Sequence, residues 1–146
     1  MKASVELRHE HDAVLFALKV LDKICGMLNS GSEVAYEDIV GILDFLETFI
    51  DKCHHSKEEK IYFPALEKAG IMNQGGPIGA LLAEHQEVRG YVRLMKDSLA
   101  HVPFHRDKFV KASHDYIALV SNHIENENEV LFTAGDSKLS PEEQKT

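Results

Sequence analysis

The sequence predicts an all-α protein, an antiparallel up-down-up-down four-helix bundle. Three observations lead there. Apolar residues recur every three or four positions through four long segments, which is the period of one helix face. No segment shows the strict alternation of a half-buried strand. The breaks between segments are short and rich in Gly, Pro, Ser and Asn, and short connections make neighbouring helices antiparallel.

The first segment runs from about Ser4 to Leu28, with Leu7, Val14, Leu18, Leu21, Cys25 and Leu28 on one stripe. Asn29-Ser30-Gly31-Ser32 stops it. The second begins near Tyr36 and carries Ile39, Leu43, Leu46, Ile50, Ile61 and Ala65. Pro64 is expected to break or kink it, because proline lacks an amide proton and crowds the preceding turn. Gly75-Gly76-Pro77 opens the third segment, with Ile78, Leu81, Val88, Val92, Met95 and Leu99. The fourth follows a break at residues 101–105 and carries Phe109, Ala112, Tyr116, Val120, Val130 and Leu131. The expected bundle domain is 1–134. Residues 135–146 are polar and read as a flexible tail.

At 146 residues the chain is long enough for one domain with its own core. No apolar run approaches the roughly 20 residues that span a bilayer. The first residues meet charge at once and lack an apolar signal segment, so a cytoplasmic location is expected. The net charge of −8 argues against nucleic acid and anionic membrane as partners, since both call for basic patches. A monomer or weak homodimer is expected. In an antiparallel hairpin Cys25 and Cys53 fall about 13 residues out of level. That is about 20 Å at 1.5 Å per residue, beyond the roughly 7 Å between bonded Cα atoms, so both thiols are expected to be free.

Nine histidines invite a test of which face each occupies. A helix turns about 100° per residue, so positions three, four and seven apart share a face. His11 stands three before Val14 and four after Leu7, and His54 four after Ile50. His85 stands three before Val88, and His123 three after Val120. All four lie on core stripes. Glu58 and Glu127 each follow an inward histidine by four and also point in. His55 shares its face with Asp51, Glu59 and Tyr62 and reads as solvated, as do His9, His101, His105 and His114.

One histidine on an apolar stripe is ordinarily a packed, hydrogen-bonded core residue. Six polar groups on four stripes are different, because two buried carboxylates without counter-charge are very costly and no Lys or Arg sits on these stripes at the same level. The points midway between His11 and His54, and between His85 and His123, fall in the two hairpin breaks. Both pairs therefore sit roughly 20 residues, on the order of 30 Å, below their loops.

Imidazole nitrogen with carboxylate oxygen suits iron, and also manganese or zinc. If both glutamates bridge, the six residues and a shared oxide or hydroxide leave about two of roughly 12 octahedral positions open. The expected centre is therefore two oxo- or hydroxo-bridged iron ions that bind or reduce a small ligand such as dioxygen, nitric oxide or peroxide. The alternatives are non-enzymatic sensing or buffering, and a structural zinc bundle. Glu10 and Glu84, one before a ligand histidine, either orient imidazoles of a neighbouring helix or are solvated flanks. Glu47 and Tyr116, seven before His54 and His123, reach the edge of the site if their side chains turn toward it; a core tyrosine is the other reading.

Glu10-His11, CHHSKEEKIYFP at 53–64, LLAEH at 81–85 and HIENENEVLF at 123–132 together resemble the hemerythrin-like proteins of the HHE cation-binding type. The resemblance covers about residues 4–133. It implies a four-helix bundle with a non-haem di-iron centre, with His11, His54, His85 and His123 as terminal ligands and Glu58 and Glu127 as bridges. The oxygen carriers of that family have a fifth histidine on the third helix, where this chain has Leu81 and Arg89 as the candidate positions. They also have an aspartate where this chain has Glu127. The ligand pattern is closer to members tied to nitric oxide and peroxide stress or to iron-centre repair.

Overall fold

Apolar side chains at helical spacing wind inward as four helices. The computed structural model describes residues 3–73 and 76–140. The first helix is α1 (Ala3–Asn29). Gly31 closes it with a backbone φ of 79°, a region that favours glycine. The Ser32 N–H donates to the Met27 carbonyl at 2.9 Å and the Gly31 N–H to that of Leu28 at 3.2 Å, which satisfies the last turn.

The second helix of the bundle has four parts: α2 (Tyr36–Phe45), wide-turned stretches Leu46–His55 and Glu58–Tyr62, and α3 (Phe63–Lys68). It is bent near residues 56–57. Pro64 lies in the first turn of α3, where a missing amide proton is harmless, so the bend comes before the proline. Gly70, at φ 101°, closes α3 with the same pair of backbone bonds that ends α1. The third helix is α4 (Pro77–Ala100), with Pro77 in its first turn. The fourth is α5 (Arg106–Asn126), then a wide turn Glu127–Leu131, then α6 (Phe132–Lys138). Among the described residues there are no strands.

Each helix packs on two neighbours. α1 lies against α2 and α5, and α4 lies against α5 and the wide-turned stretch of the second helix. The apolar interior is split in two. The upper part holds Leu21, Leu46, Ile50, Met95, Phe109 and Tyr116, all fully buried. The lower part holds Leu7, Phe63, Leu66, Ile78, Leu131 and Phe132. Between them lies a layer of buried histidine and glutamate. Burying each large apolar side chain contributes about 1.5–3 kcal/mol, so both halves hold the layer from above and below. Cys25 is buried, Cys53 half-buried, and both are free.

Ordered structure runs past the boundary expected at residue 134. α6 continues to Lys138 and Leu139 is buried in the lower core, so residues 135–140 are not the flexible tail anticipated from their polarity. The cause is Gly135, which lets α6 lie close against the second helix. A Cβ at this position would overlap the Tyr62 hydroxyl and come 3.1 Å from Leu66 Cδ2. Residues 141–146 of that expected tail lie outside the described residues. Gly135→Ala is expected to lower unfolding free energy by about 1–3 kcal/mol, the usual effect of overpacking, read from the denaturant midpoint. Adding Tyr62→Phe should restore part of it. An unchanged midpoint in Gly135→Ala would contradict this packing.

Candidate metal centre

The wide turns set the site. Along Leu46–His55, Glu58–Tyr62 and Glu127–Leu131 the backbone makes i→i+5 bonds, so Phe63 N–H reaches the Glu58 carbonyl and Phe132 N–H that of Glu127. Such turns rotate less per residue than the α-helix and concentrate at functional sites. All three lie on the helices that carry the histidine-x-x-x-glutamate spacing.

This explains a correction. His55, expected on a solvated face, is only 2 % exposed. By the end of ten wide-turned residues the helical wheel of 100° steps no longer applies. His54 and His55 then straddle the inward direction, and both enter the core. The His55 ring stacks on His85 with centroids 3.8 Å apart and planes 15° apart.

Two groups of buried donors result. One comprises His55, Glu58, His85 and His123, the other His11, His54, Glu58 and Glu127. Within each, one donor atom per residue lies within 4.8 Å of the others. Glu58 is common to both. Glu127 Oε1 stands 3.1 Å from His11 Nε2 and 3.2 Å from His123 Nε2, so it also spans them. Glu58 Oε1 stands 3.3 Å from His85 Nε2 and 3.7 Å from His54 Nε2. The Nε2 atoms of His85 and His123 are 3.1 Å apart.

Behind this ring, four imidazoles are held by their other nitrogen. Nδ1 of His54 donates to Glu10 at 2.7 Å, and that of His123 to Glu84 at 2.8 Å. Nδ1 of His85 donates to Glu59 at 2.7 Å, and that of His11 to the Asn128 side-chain oxygen at 2.9 Å. A proton on Nδ1 leaves the lone pair of Nε2 directed into the cluster, the tautomer a metal ligand needs. Glu10 and Glu84 thus reach imidazoles of the neighbouring helix, not of their own. A third tier supports the carboxylates. Lys57 pairs with Glu10 and Glu6, while Arg89 donates to Asp51 at 2.7 Å and to Glu59 at 2.6 Å. Asp51 lies 3.9 Å from His55 Nδ1.

Of the two residues considered for the edge of the site, Glu47 lies elsewhere and Tyr116 takes the core reading. Glu47 pairs with Lys96 at 3.0 Å on the surface, because the wide turns begin beside it and swing it away. Tyr116 is fully buried in the upper core and belongs to neither donor group. His9, His101 and His114 are exposed and His105 half-buried. The sequence reading missed His55, Glu59, Asn128, Asp51 and Arg89. The doublets His54-His55 and Glu58-Glu59 were the available signal, since a wide turn brings both members of a doublet toward one site.

Burial and neighbouring charge set the protonation. Burial, then the charge of Glu127, drives Glu58 well above the usual carboxylate range. Burial acts on Glu127 in the same direction. It is outweighed by the proton held on Glu58 and by His123 and His11, so Glu127 lies well below that range. Burial, then His123, pushes His85 down to about 4. Burial likewise lowers His55 and His54. His123 is raised instead, since Glu127 and Glu84 overcome its burial. Apart from contacts with one another inside the cluster, the Nε2 atoms of His11 and His54 and all four oxygens of Glu58 and Glu127 find no hydrogen-bond partner. Buried and pointed at one another, these atoms fit bound metal.

The sequence model of the hemerythrin HHE cation binding domain matches residues 3–134. The chain belongs to the hemerythrin HHE cation-binding family. No curated protein and no solved structure matches it significantly. Family and donor groups together make this a metal-binding four-helix bundle. Among its described residues no helix is long and apolar enough to cross a membrane.

In the metal-free hemerythrin-like domain, His85 gives a pH test. Its value in the fold lies below its ordinary 6.5, so its contribution to stability is present above pH 6.5 and fades as pH falls toward 4. The stability difference between wild type and His85→Gln, from urea unfolding with chelator, should therefore shrink by up to about 3 kcal/mol over that window. A difference that stays flat or grows on acidification would contradict the assignment.

Proposed function

We propose that the protein holds two iron ions and takes up one small ligand, such as dioxygen, nitric oxide or peroxide, beside His11 and His54. The observation that carries this reading is the unequal division of donors. His55, His85 and His123 gather with Glu58 and would hold one ion; His11 and His54 gather with Glu58 and Glu127 and would hold the other, with Glu127 also 3.2 Å from His123. With three imidazoles on one side and two on the other, the two-histidine side would leave more of an octahedral ion's roughly six positions free. Room for an added ligand would then lie on the two-histidine side, so His55 changes the expectation of one vacancy per ion. Iron supplies the redox-active electrons for binding or reducing such a ligand.

The chain's own residues prepare that position. His11 is stacked on Phe132, with centroids 5.4 Å apart, and His85 on Phe63 at 5.9 Å. These rings, with Leu81 and Leu131, close the layer from below and exclude water. The Asn128 amide holds His11 without adding negative charge, whereas His54, His85 and His123 are each backed by a carboxylate. A neutral partner leaves the imidazole of His11 a weaker donor than the other three. A dry, apolar surround suits a small neutral ligand and leaves no space for a large substrate.

The test is the absorption spectrum and iron content of the purified, oxidised protein. Two irons per chain and near-ultraviolet bands that change with azide, nitric oxide or peroxide are expected. Glu58→Gln should lose the two-metal state, and His55→Ala should retain ligand binding with altered bands. Peroxide consumption above the free-iron background would establish reduction; reversible binding alone would establish a sensing or buffering role. A colourless protein that binds zinc and ignores these ligands would refute the proposal.

A further inference from the structure

We propose that the groove between α1 and α2 docks a second copy of this chain, forming a two-fold dimer. The groove holds about 480 Å³. Ala17, Ile24 and Ile42 form its floor, and Phe16, Val20 and Phe45 its walls. Phe16 is 68 % exposed and Val20 37 % exposed. An apolar wall of this kind, continuous with the core beneath it, is a feature of interaction surfaces rather than of solvated helix faces. Gly41 adds room on the α2 side, where a Cβ would meet nothing within 4 Å.

The edges of the groove choose the occupant. On α1, Lys19 and Lys23 lie next to Phe16 on the helical wheel and are exposed. On α2, Glu37 and Asp38 line the opposite edge and are also exposed. None of the four side chains makes an ion pair or hydrogen bond among the described residues. One edge is therefore positive, the other negative, with apolar surface between them. A two-fold axis running along the groove places each α1 over the partner's α2. The lysines of one copy then face the acidic edge of the other, twice, and Phe16 enters the partner's groove. A rotation about the perpendicular in-plane axis would instead set lysine against lysine. Because each chain carries a net charge of −8, copies otherwise repel, and the paired edges specify the one approach in which they attract. Such an isologous contact is the commonest form of oligomer. It does not depend on the metal reading.

Sedimentation of the full chain at about 100 µM, well above a micromolar dissociation constant, tests the proposal. Wild type should sediment as a dimer that dissociates on dilution. Phe16→Glu, a surface change that should leave helicity and metal content intact, should sediment as a monomer. The double variants Lys19→Glu/Lys23→Glu and Glu37→Lys/Asp38→Lys should each be monomeric alone. Mixed in equal amounts, they should recover the dimer, because both edges are again complementary. A monomeric wild type, a Phe16→Glu protein that stays dimeric, or a mixture that fails to pair would each overturn the proposal.

Discussion

Two carboxylates with no exposure at all, Glu58 and Glu127, are the constraint around which this molecule is organised. A buried carboxylate without counter-charge costs several kcal/mol, and no lysine or arginine bonds to either of them. The chain lowers that cost in its metal-free state by keeping a proton on Glu58 while Glu127 stays charged beside His123 and His11. Bound metal would do so more completely, since its charge would offset both carboxylates and its open positions would take the inward nitrogens that otherwise lack partners. The same feature therefore makes the apo-protein strained in charge and the centre receptive to metal.

Everything outward from the carboxylates acts to hold donors still. The imidazoles would rotate freely if only packed, but Glu10, Glu59, Glu84 and Asn128 fix four of them through Nδ1. Lys57 and Arg89 then fix two of these carboxylates, Glu10 and Glu59. Arg89 is notable because its guanidinium serves the carboxylates near both His55 and His85, binding the three-histidine side into one network. The two apolar clusters complete the arrangement by clamping this polar layer above and below. Packing gives stability, hydrogen bonds give direction, and charge gives the reason for a metal.

The four helices were legible in the sequence because their apolar stripes are long and regular. The inward histidines at 11, 54, 85 and 123 were legible for the same reason. What was hidden depended on departures from the α-helix. A wheel drawn at 100° per residue puts His55 on the surface, and only the wide turns of Leu46–His55 bring it inside. Glu47 was misplaced by the same change of winding. Asn128 follows Glu127 into a wide turn, so its contact with His11 on another helix has no local signature. The order of residues 135–140 was missed because it rests on one close approach, Gly135 against Tyr62, while their polarity suggested a solvated tail. The bend before Pro64 shows the converse: proline marked the region of irregular winding without being its centre.

The most direct measurement is X-ray absorption at the metal edge of the iron-loaded protein. Convergence of five imidazoles and two shared carboxylates predicts between two and three imidazole nitrogens per iron. It also predicts a second iron at roughly 3.5 Å, the separation typical of two-metal sites. An iron neighbour that is absent, with one isolated ion per chain, would contradict the account.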